Sequence, residues 1–220
     1  MKAVTDTKQS LLDAAEVLFA ERGFAATSMR DIAGRAGANL AAANYHFGGK
    51  RGLMEAVLER RVTPLNQTRL KELSTVAAAA GRRRVSLESV LEAFIGPALR
   101  MTEHIPGGGE SFVRLMGRTF IEPDDKLQAY FMGLFKEVAV RFIPAIQQAV
   151  PDLPAPDLFW RVHFMIGCMA HTMGDKDRLR VISGGKVDPD ETESAIRELV
   201  SFVAGGLRAP AASGKKRRGR

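Results

Sequence analysis

From Leu11 to Leu58 the chain repeats one pattern, a short apolar stripe at helical spacing closed by glycine, and this limits the fold more than any other feature. Leu11, Leu12, Ala15, Leu18 and Phe19 give a first helix one apolar face, and Gly23 follows as a residue able to stop it. Ser28 with Asp31 three residues on predicts a capping-box start for a second helix carrying Met29, Ile32, Ala33 and Ala36. Gly37 breaks that helix, and a third runs from about Asn39 to Phe47 before Gly48 and Gly49. Two short helices around a glycine turn predict a helix-turn-helix over about 28–48, whose second helix can enter a DNA major groove.

The second helix of that motif offers Asn39, Ala41, Ala42, Asn44, Tyr45 and His46 outward, with Leu40, Ala43 and Phe47 expected inward. Asparagine can pair bidentately with adenine, and an alanine methyl can rest against a thymine methyl. Tyr45 and His46 can donate to phosphates or base edges. Thr27 and Ser28 at the start of the second helix, Arg30 on it, and Lys50 opening the fourth complete the expected DNA-contacting set. The alternative for the same residues is a small helical domain with a polar outer face.

The formal net charge of +7 is unevenly placed. Residues 1–50 hold six Lys or Arg against five acids, residues 51–84 eight against three, and residues 207–220 six against none. The stretch 85–206 is net acidic, with twelve against seventeen. The motif therefore argues for DNA more strongly than the overall charge does, and the basic excess points to the junction of the third and fourth helices. A single cysteine, Cys168, excludes an internal disulfide and suits a reducing cytoplasm. Asp6, Lys8 and Asp13 fall where a signal peptide needs apolar residues, and Arg161, His163 and His171 interrupt the most apolar later stretch. Neither secretion nor a membrane is expected.

Residues 1–5 are expected to form a loose arm. A fourth helix starts at Lys50, with Pro64 marking an end or a kink, and AAAAGRRR at 77–84 reads as a helix end and basic loop before Ser86 as the next N-cap. Further helices are predicted at about 86–103, 110–120, 124–149, 157–174 and 189–207, the last opened by Asp188 and Pro189. PGGG at 106–109, Pro123, the 151–156 proline cluster and SGGKVDP at 183–189 punctuate them. The end of the chain, 208–220, has no large apolar residue and reads as a disordered basic tail able to add sequence-independent DNA affinity. The fold class is all-α, a three-helix DNA-binding domain at 1–50 and a larger helical effector-binding and dimerisation domain at 51–207.

In that second domain Leu158, Val162, Met165, Ile166, Met169 and Met173 make one stripe, and Phe159, Trp160, Phe164 and Cys168 make the rest of the same helix apolar too. A helix apolar all round must be covered on both sides. Ile196, Leu199, Val200, Val203 and Leu207 supply a second stripe. Met101, Phe112, Leu115, Met116, Phe120, Phe131, Met132, Phe135, Phe142, Trp160, Phe164 and Met173 suit an adaptable apolar pocket, and suit an ordinary core equally. Arg114, Arg118, Arg161 and His163 can meet an anionic head group or simply water. His163, Cys168 and His171 lack a fourth ligand and common face, so neither metal nor other cofactor is expected. Gly107–Gly109 lacks the sequel of a phosphate loop, and no nucleophile, base and orienting residue stand out, so no catalytic residue is assigned.

The string TSMRDIAGRAGANLAAANYHFGGKRGLMEAVL, with AERGF ahead of it, resembles the amino-terminal domain of the TetR family of bacterial transcriptional repressors. NLAAANYHFGGK and LFWRVHFMIG are similar to the PsrA-like branch, which responds to long-chain fatty acids. Asn44 stands where that family usually has an aromatic residue, so the bases read are not transferable. The resemblance implies a homodimer on a palindromic double-stranded operator and an inducer cavity in the second domain. Two carboxyl-terminal helices per subunit would form the interface, placing Val162, Met165, Ile166, Met169, Ile196, Leu199, Val200 and Val203 there. Phe112, Leu115, Met116, Phe120, Phe131, Met132, Phe135, Trp160 and Phe164 would line the cavity, and a long-chain acyl ligand would release the operator by shifting the fourth helix. The alternatives are an acyl-binding carrier or enzyme with a vestigial helix-turn-helix, and an architectural DNA-binding protein without a pocket.

Overall fold

The computed structural model describes residues 2–104, 110–121, 123–174 and 176–211, and among them the fold is all-α. The PGGG segment and residues 212–220 of the expected tail lie outside the described residues. The chain divides into two compact units, Met1–Asn66 with Ile105–Lys136, and Gln67–His104 with Glu137–Arg220. The expected boundary at residue 50 is therefore not where the packing divides.

The first unit contains α1 (Lys2–Ala26), α2 (Met29–Arg35), α3 (Leu40–Phe47), the first part of α4 (Lys50–Ala80), α6 (Glu110–Ile121) and α7 (Asp125–Gly133). The expected loose arm is a correction: its backbone is helical from Lys2. Gly23 stops the first helical run of α1 as its position predicts: its φ of 83° and ψ of 170° are non-helical, a region essentially closed to residues with a Cβ, and a last short helical stretch follows to Ala26. Leu11, Ala15 and Phe19 of α1 are wholly buried together with Ile32 of α2, Ala43 of α3, and Leu53, Val57 and Leu58 of α4. The leucine, isoleucine, valine and phenylalanine side chains among them contribute about 1.5–3 kcal/mol each when they leave water. The amphipathic α6 packs along α1, burying Phe112 and Leu115, which is why 105–136 belongs with the amino-terminal helices. Pro64 does not end α4, which continues through it to Ala80: the ring is exposed, while Val62 and Leu65 beside it are buried.

The second unit holds the rest of α4, then α5 (Leu87–His104), α8 (Lys136–Ala149), α9 (Ala155–Gly174), α10 (Lys176–Ile182) and α11 (Thr192–Arg208). Its core joins Val90, Leu91 and Ile95 of α5, Phe142 and Ile146 of α8, Leu158 and Met165 of α9, and Ile196, Val203 and Leu207 of α11. Arg69 is buried among them, its Nε donating to the Phe94 carbonyl at 2.8 Å and its guanidinium 4.1 Å from the Phe94 ring. Burial pushes this guanidinium down to about 9.

Three boundaries differ from the sequence reading. The single helix expected over 124–149 is broken after Gly133, where Leu134 and Phe135 turn. The short helix α10 was not anticipated. Asp188 does not cap α11; its carboxylate accepts from the Asp190 backbone at 3.0 Å in a turn, and α11 begins at Thr192 with Glu191 before it. Local bonding by an aspartate competes with its use as a cap. Among the described residues no helix is long and apolar enough to cross a membrane.

Candidate nucleic-acid interface

The reader is assembled from capped short helices. The Asp31 backbone donates to Ser28 Oγ at 3.1 Å and the Ser28 backbone donates back to Asp31 Oδ2 at 3.2 Å, the reciprocal box expected for α2. Bonds from Ser28 hold the Asp31 carboxyl below its usual range. Gly37 turns the chain with φ 65°, and the Ala42 backbone donates to Asn39 Oδ1 at 2.6 Å to start α3. Gly48 closes α3 in the left-handed region at φ 67°.

On α3 the structure exposes Ala41, Asn44 and Tyr45, half-buries Ala42 and His46, and buries Ala43 completely. Tyr45 is the most open of them at 86% exposed. Leu40, expected inward, is 39% exposed because it occupies the first turn, beyond the reach of the core. Phe47 is half-buried.

Three expected contacts are corrected. Thr27 is 1% exposed, and its hydroxyl donates to the Gly23 carbonyl at 2.7 Å and the Leu18 carbonyl at 3.2 Å, satisfying the kinked end of α1 rather than a phosphate. Asn39 has its carbonyl oxygen committed to the cap, so only its amide NH2 is left to read a base. Lys50 turns inward: Nζ donates to the carbonyls of Phe24 at 2.9 Å and Ala25 at 3.2 Å and lies 4.6 Å from the Phe24 ring. The final carbonyls of a helix lack partners of their own, and an ammonium answers them with charge-assisted bonds.

Three of the arginines after residue 50 are held by carboxylates, while Arg82, Arg83 and Arg84 stay exposed. Arg60 reaches Asp13 at 2.6 Å and Glu16 at 2.5 Å, Arg61 reaches Glu16 at 2.9 Å, and Arg51 holds Asp124. Arg30 and Arg35 of α2 are exposed and have no ion pair among the described residues. Sequence reasoning named Arg30 and missed Arg35, whose signal was a cation in the last turn of α2, immediately before the turn leading to α3. The outward set is thus an asparagine amide, alanine methyls and a phenol on α3, with two guanidiniums on α2, groups able to meet base edges and phosphates respectively.

Gly52 also escaped the sequence reading. A Cβ there would lie 2.1 Å from the Phe47 carbonyl oxygen, so α4 starts as close to the end of α3 as backbone allows.

The residues assigned to an effector cavity are divided. Phe112, Leu115 and Phe131 are buried in the first unit, where Met116 and Phe135 are half-buried and Met132 is exposed. The side chain of Phe120 lies outside the described residues. Trp160 and Phe164 belong to the second unit and point to solvent, 63% and 57% exposed. The residues assigned to a dimer interface are largely used within the subunit. Met165, Ile196, Leu199, Val200 and Val203 are buried there, and Val162, Ile166 and Met169 are half-buried. The large apolar side chains that α9 and α11 leave exposed are Phe159, Trp160, Phe164 and Phe202. Both sides of α9 are apolar, so its periodicity could not say which one α5 and α11 would cover.

A capped helix-turn-helix ahead of a larger helical unit defines a one-motif DNA-binding regulator. Residues 11–57 match the model described as bacterial regulatory proteins, tetR family, and residues 92–206, more than half the chain, match the tetracyclin repressor-like C-terminal domain. The chain belongs to the TetR family. An HTH-type transcriptional repressor of Mycobacterium tuberculosis is 50% identical over 58 residues, 26% of this chain and 31% of that relative, so the match spans under a third of the relative's length. The transcriptional regulator FadR of Bacillus subtilis, solved in complex with stearoyl-CoA, superposes with a TM-score of 0.66 at 12% identity, over 90% of this chain and 98% of that one. The fatty acid degradation regulator FadR of Bacillus halodurans gives 0.67 at 12% identity, over 93% and 97%. At such identities these likenesses concern the fold.

Proposed function

We propose that this chain is a sequence-specific DNA-binding transcriptional repressor, acting as a homodimer on a palindromic operator and released by a long-chain acyl ligand. The observation that carries the DNA-binding part is the polarity of α3: Ala43 is fully buried while Ala41, Asn44 and Tyr45 on its other side stand in solvent. Asn44 is the base reader, its amide suited to adenine, and Arg30, Arg35 and Tyr45 meet the backbone. Two such readers must be set roughly 34–36 Å apart to enter successive major grooves, which calls for a two-fold assembly.

The assembly uses the open apolar face of α9 and α11. Four large aromatic side chains more than half exposed on one helix pair are unusual for a finished surface and suit a partner's identical face. The acyl ligand is supported by the stearoyl-CoA held by the structurally similar Bacillus subtilis regulator and by the resemblance of NLAAANYHFGGK and LFWRVHFMIG to a fatty-acid-responsive branch. Repression fits the repressor among the matching relatives.

The test is selection of duplexes from random-sequence DNA by the full chain, followed by titration with acyl-CoA and fatty-acid ligands of increasing length. A palindromic consensus is expected, with release strengthening as methylenes are added, each worth about 0.8 kcal/mol while the cavity has room. Recovery of no consensus sinks the repressor. A consensus released by no acyl compound sinks only the ligand.

A further inference from the structure

Asp124 occupies the N-cap of α7, and its carboxylate serves two elements at once. Oδ1 accepts from the Leu127 backbone at 2.9 Å, the bond that starts α7. Both oxygens also accept from Arg51, Nη1 to Oδ1 at 2.9 Å and Nη2 to Oδ2 at 2.8 Å. This is the two-point guanidinium–carboxylate geometry, which fixes orientation as well as distance.

Arg51 is the second residue of α4, four residues beyond the end of α3. The corner between them has little slack, with Gly48 in the left-handed region and Gly52 against the Phe47 carbonyl. Lys50 ties the same corner to the end of α1, and the Arg51 guanidinium lies 6.0 Å from the Phe24 ring that Lys50 also covers. On the other side, α6 and α7 are fastened within this unit by Arg118 Nη2 to the Glu21 carbonyl at 2.9 Å and by Asn66 Nδ2 to the Leu134 carbonyl at 2.8 Å. A displacement of the start of α7 therefore reaches the first turn of α4 through a rigid fork.

We propose that Asp124 is a positioning residue for the DNA reader: its two-point grip on Arg51 sets where α4 begins, and with it the placement of α3. The proposal rests on the DNA-reading function above. A half-buried ion pair still reached by water adds little to stability, and the fork here matters for where α4 begins rather than for how stable the unit is.

The experiment compares Asp124→Asn, Arg51→Gln and the double variant with the wild-type chain, using a duplex that the wild type selects from random-sequence DNA. Asparagine keeps the cap on α7 while removing the charge, and Arg51→Gln breaks the fork without touching the cap. Each single variant is expected to weaken operator binding by about 2- to 30-fold, the range of residues that modulate coupling without contacting ligand. The double variant is expected to be no weaker than the worse single, with the salt slope unchanged and the thermal midpoint lowered by no more than a few degrees. Unchanged operator affinity in both singles overturns the proposal, as does a double variant whose loss is the product of the two. Tighter binding by Asp124→Asn with a steeper salt slope also overturns it, because Asp124 would then be withholding Arg51 from a phosphate. If the wild type selects no sequence, the DNA-reading function itself fails and the proposal falls with it.

Discussion

Phe164 and Met165 are neighbours on α9, one open to solvent and one in the core, and they separate assembly from folding within one turn of helix. Phe164 is 57% exposed in the subunit and Met165 is 2% exposed. Fully burying a phenylalanine side chain is worth about 1.5–3 kcal/mol, so covering the exposed fraction of Phe164 is worth roughly 0.9–1.7 kcal/mol per copy. A two-fold interface counts each substitution twice. Phe164→Ala should therefore cost roughly 1.7–3.4 kcal/mol of dimer, raising the dimer dissociation constant about 15- to 300-fold at about 1.4 kcal/mol per factor of ten. Met165→Ala should instead leave a cavity and cost about 2–5 kcal/mol of subunit stability. At about 2–4 °C per kcal/mol for a chain of this size, its thermal midpoint should fall by several degrees or more. Sedimentation equilibrium reads the first quantity and thermal unfolding followed by circular dichroism the second. A dimer that survives Phe164→Ala intact, or one weakened equally by Met165→Ala, refutes the assignment of the outer face.

Three further outcomes follow from the reader and its corner. Lys50→Met removes two charge-assisted bonds to the end of α1 and should cost about 1.5–3 kcal/mol, seen as a lower thermal midpoint; an unchanged midpoint with a salt slope reduced by about one would return Lys50 to the phosphate backbone. Gly52→Ala should weaken operator binding, because its methyl cannot share space with the Phe47 carbonyl and the start of α4 must tilt away; unchanged affinity in a binding titration would show that the corner is not tight. The Asp124 carboxyl is lowered from 3.8 to about 2 by the Arg51 bond first and the Leu127 N–H second. Its contribution is therefore present above pH 3.8 and lost as pH falls toward about 2, so the difference in thermal midpoint between wild type and Asp124→Asn should be flat above that window and shrink within it.

The parts of this fold that were legible in the sequence are those that local chemistry decides. Ser28 with Asp31, and Gly48 after α3, are short-range devices, and the structure uses both as their spacing predicts. Thr27 was legible too, since a threonine four residues beyond Gly23 can bond back to that carbonyl, but the expectation of a phosphate contact displaced the simpler use. Lys50 was not legible, because the carbonyls it answers lie 26 and 25 residues away and no pattern announces them. The same holds for Arg51 and Asp124, 73 residues apart. On α9 and α11 the difficulty was of another kind. Period and composition identify an apolar side but are blind to which of two apolar sides a neighbour has taken, and Met165 and Phe164 are equally good candidates until α5 and α11 are in place.

Trp160 is the only tryptophan in the chain, and it belongs to that exposed aromatic set, 63% exposed and stacked on Phe164 at 5.7 Å between ring centroids. The protein thus carries a built-in optical gauge at the one place where a second copy would lie. Indole emission moves to shorter wavelength as water is withdrawn from the ring, so diluting the unlabelled protein and following the colour of its fluorescence reports how crowded that face is. On the proposed assembly the cell would meet the same dependence without a spectrometer: at low copy number the aromatic face would stay wet, readers would remain single, and a palindrome would be held by halves or not at all.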